Sequence, residues 1–224
     1  MCPCPTIGPL WTGTWRAKRV GVVKELLYAD VVEPEVRDAV SQAVHVLAAL
    51  GAQVEEVSLP LTRHANTISS VLRVEAPTNY RELIRERLQE IKHDNRISYL
   101  TWSLTPALAY YKALKLRALL RQEVLAALDN ADVLVMPTMG SAAPKIEPDP
   151  IIDSKESSNR NRAGLTTSFS LASSPALSIC CGFTSENLPI GLQIGGKPFA
   201  EQTVLNVAYA YQQATDWHGR RPPI

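Results

Sequence analysis

The sequence predicts an α/β fold, a mixed sheet covered by helices, and three observations carry that reading. Toward the C-terminus two short runs alternate. In Ala176 to Phe183, Leu177, Ile179, Cys181 and Phe183 share one face, and Ala176, Ser178, Cys180 and Gly182 share the other. In Ile190 to Gly195 the apolar Ile190, Leu192 and Ile194 oppose Gly191, Gln193 and Gly195. Only the turn-rich Thr184 to Pro189 separates the two runs, so they are expected to pair. Toward the N-terminus a strand, a helix and a second strand follow one another, which is the pattern of a right-handed parallel crossover. Between these two blocks the apolar residues recur at helical spacing.

In chain order, residues 1–18 read as an irregular leader, with Cys2 and Cys4 in a segment broken by proline. Arg19 to Lys24, RVGVVK, suits a buried strand. Pro34 fits the first turn of a helix that continues through Val36, Val40, Ala43, Leu47 and Leu50, and Gly51 offers a left-handed stop. Gln53 to Leu59 alternates again, with Val54 and Val57 as the inward pair. Arg63 to Ile91 is expected to be helical and divided in two by Pro77. Its charge run RELIRERLQEIKH reads as a solvated face, while Glu75 and Tyr80 fit either a pocket or surface packing. A longer helix is expected from Thr105 to Leu128, with Pro106 in its first turn.

Asp132 to Met136 is a β-branched strand that Pro137 should end by removing a ladder donor. Because open α/β sheets hold ligands at strand ends, Thr138 to Ala143 becomes a candidate cleft wall. Lys145 to Asn161 is polar and reads as a long surface loop that covers the cleft. From Glu201 the apolar residues Val204, Val207, Ala208 and Tyr211 define an amphipathic helix lying back on the sheet. The small residues on one face of the two C-terminal strands should let a helix or another segment approach closely.

Composition excludes several classes of function. With 224 residues, 46% hydrophobic and 20% charged, the chain is long and apolar enough to bury a sizeable core. A formal net charge of +1 offers no global attraction for nucleic acid or an acidic membrane. No apolar run is long enough to span a bilayer, and the opening residues lack the basic start of a signal peptide, so a cytoplasmic location is expected. Cys180 and Cys181 are neighbours on opposite faces of a strand, which suits small buried hydrophobes better than a metal site; no metal and no cofactor are expected. His45, His64, His93 and His218 form no motif, and the sequence contains no GxSxG, P-loop, HExxH or dinucleotide-binding glycine pattern.

One ordered block is more specific. The strand Pro-Ala-Leu-Ser, then Cys-Gly-Phe, Leu-Pro-Ile-Gly-Leu-Gln, a Gly-Lys-Pro-Phe turn and a helix ending Ala-Thr-Asp-Trp-His resembles the C-terminal end of amidase signature enzymes. Asp132 to Thr138 and the spacing of Tyr110, Ala113 and Arg117 are similar to the same family. The resemblance implies that 19–224 is the C-terminal half of an amidase signature fold, a mixed sheet covered by helices. In that family a serine nucleophile, a second serine in a cis peptide and a lysine base cleave amides, and a Gly-Ser-Ser-Gly-Gly-Ser stretch builds the oxyanion hole.

That stretch is absent. Ser69-Ser70, Ser157-Ser158 and Ser173-Ser174 lack flanking glycines, and no lysine matches the base, so no catalytic residue is assigned to this chain. Arg96, Tyr110, Arg117, Thr138, Arg162 and Thr166 are the candidate substrate-binding residues, the arginines because a guanidinium forks onto a carboxylate. Ala163 stands where amidotransferase members of the family carry an aspartate, which favours a general amidase over a glutamine-specific one. The resemblance further implies an N-terminal amidase half, or self-association, as partner, and a small amide as substrate once the fold is completed. A non-catalytic binding or scaffold protein that kept the half-fold is the alternative.

Overall fold

A computed structural model describes residues 18–145 and 165–220. Residues 1–17 of the expected leader, almost all of the expected cleft-covering loop, Ser157-Ser158, Arg162 and Ala163 therefore lie outside the described residues. Among the described residues five strands form one mixed sheet in the order β2-β1-β3-β5-β4. These are β1 (Arg19–Val23), β2 (Gln53–Val57), β3 (Val133–Pro137), β4 (Ala176–Phe183) and β5 (Pro189–Gly196). β1 runs parallel to β2 and β3, whereas β5 runs antiparallel to both β3 and β4. The all-buried run VLVMP of β3 holds the centre, as expected of a strand covered on both faces.

Helices cover the sheet from two sides. α1 (Lys24–Leu27) follows β1 directly, and α2 (Pro34–Ala49) begins with its proline in the first turn, buries Val36, Val40, Ala43 and Leu47, and packs on β2 to β5. Gly51 at φ 94° then turns the chain back into β2, a conformation that costs an L-residue about 1–2 kcal/mol. α9 (Glu201–Gln213) lies beside α2 on β4 and β5 and buries the four expected residues, Val204, Val207, Ala208 and Tyr211. On the other side α3 (Ala65–Leu72), α7 (Ala107–Asn130) and α8 (Thr167–Ala172) pack together.

The small-residue face explains how α8 is seated. A Cβ on Gly195 would lie 2.2 Å from Phe169 Cζ, so the α8 ring rests directly on the β5 backbone. On the opposite face a Cβ on Gly196 would lie 2.7 Å from Val204, so α9 approaches equally closely.

Several details depart from the sequence expectation. Pro77 does not divide two helices: it lies inside the short α4 (Glu75–Asn79), and the chain breaks instead around Arg73-Val74 and at Tyr80, before α5 (Arg81–Glu86). In a first turn the missing proline N–H has no helical partner to lose, so Pro77 is tolerated there. His93 opens α6 (His93–Ser103), a helix with no counterpart in the sequence expectation. Pro137 remains in register opposite Leu192, and Thr138 N–H donates to Gly191 O at 2.9 Å, so pairing outlasts the proline. A bulge between Cys180 and Gly182 inserts Cys181, so Gly182 falls opposite Ile190 and faces Ala39 of α2 instead of joining Ser178.

Candidate functional site

The C-terminal end of β3 opens into a groove of about 600 Å³. Thr138, Met139, Ser141 to Pro144, Ser178, Cys180 and Gly191 line it, which includes most of the expected cleft wall. Backbone bonding holds its floor. Thr138 donates to Gly191 O, Thr138 O accepts from Leu165 N–H at 3.3 Å, and Gly140 O accepts from Glu33 N–H at 2.8 Å. Above β5 the Thr138 and Ser178 hydroxyls share a hydrogen bond of 2.6 Å. A Cβ on Gly191 would come within 2.8 Å of both oxygens, so only glycine leaves room for that pair. Two residues further along β5, Gln193 is buried with its Oε1 unpartnered, and Ser168 Oγ of α8 is likewise buried and unpartnered. Polar atoms in that condition are costly unless something else binds them.

A second, more polar cavity of about 700 Å³ lies at the ends of β1 and β2, lined by Lys24, Glu25, Tyr28, Arg63, Asn66 and Thr67 among others. Its order rests on Glu25, which is 6% exposed. Burial alone would push this carboxyl up, but Leu59 N–H donates at 2.8 Å and Ser58 Oγ at 2.6 Å, and together they hold it below the ordinary range. Tyr28 donates to Glu56 at 2.9 Å, which raises the phenol.

The expected binding residues do not converge. Thr138 lines the groove. Arg96, half-buried on α6, donates from Nη1 to Gln89 Oε1 at 2.9 Å while its Nε is buried without a partner. Tyr110 donates to Glu75 Oε1 at 2.8 Å, which raises its phenol. Glu75 thus binds α4 to α7, and Tyr80 stacks on Tyr99 with ring centroids 5.6 Å apart. Arg117 donates from Nε to Leu171 O at 3.1 Å and from Nη2 to Ser173 Oγ at 3.3 Å. Together with Arg121, which donates to Ala172 O, it satisfies carbonyls at the end of α8. Thr166 is exposed at the start of α8, and its carbonyl accepts from Ser170. Sequence reasoning does not single out Ser178 and Gly191 as groove residues, although alternation places both on the small-residue face. It also misses Arg121, whose signal is the four-residue spacing from Arg117.

Other reactive groups are accounted for locally. Burial pushes the Cys181 thiol up to about 12, which suppresses the thiolate a nucleophile needs. All four histidines are exposed. Among the described residues there is no group of three or more His, Cys, Asp or Glu able to hold a metal, and no helix is long and apolar enough to cross a membrane.

A mixed sheet with helices on both faces and a groove at the end of a central strand is an α/β architecture of the kind that holds ligands at strand ends. The chain belongs to the amidase signature family: the family model described as Amidase matches residues 9–205. Among curated relatives, a glutamyl-tRNA(Gln) amidotransferase subunit of Methanosarcina mazei is 34% identical over 232 residues, an alignment covering 92% of this chain and 47% of the relative. The corresponding subunit of Brevibacillus brevis is 36% identical over 241 residues, covering 94% and 47%. The crystal structure of the Thermotoga maritima subunit matches with a TM-score of 0.69 at 27% identity, covering 92% of this chain and 44% of that one. The chain therefore spans about half the length of the relatives it matches.

Proposed function

We propose that this chain supplies the C-terminal part of an amide hydrolase, forming one wall of its substrate cleft, and that it has no activity without an N-terminal amidase half. The observation that carries this reading is the groove at Thr138 to Pro144. It is lined by the hydroxyls of Thr138, Ser141 and Ser178 among apolar and small residues, and Ser178 belongs to β4, a strand with only β5 as neighbour among the described residues, in a chain without the Gly-Ser-Ser-Gly-Gly-Ser stretch. Thr138 contacts substrate from the wall. Arg96 and Arg162 are the guanidinium candidates for a substrate carboxylate. Arg117, Tyr110 and Thr166 act more indirectly, Arg117 by fixing the end of α8. Ala163 supports a general small amide over glutamine, and the site of action is the cytoplasm.

The test is ammonia release from simple amides by this chain alone and after mixing with an N-terminal amidase half. Hydrolysis only in the mixture supports the proposal; hydrolysis by this chain alone refutes it. A second reading, a non-catalytic binding protein, draws on the exposed Leu104, Leu108, Tyr111 and Leu119 along α7 and its approach. It predicts binding to another chain without hydrolysis in any mixture.

A further inference from the structure

The long helix α7 carries apolar side chains on two faces, and one of them is covered. Toward α3, α8 and β1 it buries Ala113, Leu120, Val124 and Leu128. On the outward face Leu108 is 67% exposed, Tyr111 64% and Leu119 51%, and just before the helix Leu104 is 82% exposed. At about 100° per residue Leu108 and Leu119 fall within about 20° of one another, with Tyr111 about 60° to one side, so the three make one ridge about 17 Å long. Apolar side chains on opposite faces are the pattern of a helix that is packed on both.

The charge around the ridge has one sign. From Asn95 to Gln122 the sequence holds no aspartate or glutamate and five cations. Arg117 and Arg121 are engaged by carbonyls at the end of α8, and Arg96 donates to Gln89. The other two, Lys112 and Lys115, are exposed on α7 and make no hydrogen bond or ion pair with another described residue. Lys115 falls between Leu108 and Tyr111 in the middle of the ridge, and Lys112 flanks it beyond Leu119. The steps from Leu108 to Tyr111 to Lys115, three and then four residues, are those of a seam onto which one further helix packs.

We propose that the outward ridge of α7 is a docking site for an acidic amphipathic helix of another chain. Apolar side chains of that helix meet Leu108, Tyr111 and Leu119, and its carboxylates meet Lys112 and Lys115. The position of Lys115 argues against a lipid surface, because a helix lying in a membrane keeps its lysines on the polar face, and here one sits where the helix would sink deepest. A second copy offers the same ridge, lysine against lysine, with no carboxylate from Asn95 to Gln122 to neutralise them. The assignment stands apart from the amidase reading, because the ridge is the same whether or not the groove is completed.

The probe is a three-heptad peptide with Leu at a and d and Glu at e and g, which its own charges keep from pairing with itself. It would be passed over the immobilised chain, beside the same peptide with Lys at e and g. The expected result is micromolar binding of the acidic peptide and binding at least about tenfold weaker for the basic one. The variant Lys112→Glu with Lys115→Glu, folded by circular dichroism, should reverse that preference, and Leu108→Ser should weaken both peptides. Peptides that bind alike or not at all, or a preference that the charge reversal leaves unchanged, would overturn the proposal. So would flotation of the chain with phosphatidylserine vesicles that the acidic peptide does not displace, which would assign the ridge to lipid. Self-association that Leu108→Ser abolishes and the acidic peptide does not compete with would assign it to a second copy. An N-terminal amidase half that restores hydrolysis and blocks the acidic peptide would assign the ridge to that half, overturning this proposal while the functional reading stands.

Discussion

Gly195→Ala puts the packing of α8 on the sheet to a direct test. The added Cβ would lie 2.2 to 2.5 Å from three atoms of the Phe169 ring, against a normal carbon contact of about 3.5–4.0 Å, so the ring must retreat by about 1 Å or more. Phe169 is 1% exposed and belongs to the core, and the α8 end that carries it is tied by Arg117 and Arg121, so retreat strains a closed arrangement. Overpacking of this kind costs about 1–3 kcal/mol. Phe169→Ala alone removes the ring and costs about 3–5 kcal/mol. In the double variant the new methyl enters the space the ring vacated, so the penalty of Gly195→Ala should largely vanish. Urea unfolding of the four proteins in dilute solution closes the cycle, with an expected coupling of about 1–3 kcal/mol. Additive effects within about 0.5 kcal/mol would refute the idea that Gly195 is small in order to seat Phe169.

Removing the Arg117 side chain frees Leu171 O and Ser173 Oγ, and Arg117→Ala should lower stability by about 1.5 kcal/mol in the same urea assay. Glu25 has its folded pKa held below its unfolded value, so its contribution is fully present above about pH 4.3 and is lost as pH falls through the folded value. Unfolding measured from pH 7 down to pH 3 should therefore show a flatter acid limb for Glu25→Gln than for wild type. Glu25→Ala, which leaves the buried Leu59 N–H without its acceptor, should cost about 1–3 kcal/mol at pH 7. With the outer edge of β4 unpaired among the described residues and apolar side chains exposed on α7, the isolated chain should self-associate at micromolar concentration; a sedimentation profile of a single monomer would count against the half-fold account.

Much of the sheet is legible because strand alternation and burial report the same physics. Ile190, Leu192 and Ile194 separate from Gly191, Gln193 and Gly195 by period alone, and the structure buries helices against both sets. Proline and glycine mark α2 at both ends for reasons of backbone geometry that no neighbour could override. The helices α6 and α8 escape for the converse reason. α8 is six residues of Thr, Ser, Phe, Leu and Ala, with little propensity of its own, and it exists where Phe169 meets Gly195 and two arginines cap its end. α6 lacks a clear apolar stripe because Tyr99 and Trp102 are used in ring contacts with Tyr80 and Arg73. The Cys181 bulge shifts one face assignment, since an inserted residue changes parity without changing composition.

The site is legible only in part. Thr138 can be placed because strand ends predict clefts, whereas the roles of Arg117 and Tyr110 depend on partners 54 and 35 residues away in sequence, Leu171 and Glu75. Helical spacing shows that such side chains share a face, and it carries no information about which carbonyl or carboxylate lies opposite.

The most direct test of the central claim is ammonia release from a panel of small amides, measured for this chain alone, for a separately expressed N-terminal amidase half alone, and for the two mixed. The account predicts hydrolysis in the mixture and in neither component. Turnover by this chain alone would contradict it, because a nucleophile would then have to exist among residues that carry no Gly-Ser-Ser-Gly-Gly-Ser stretch.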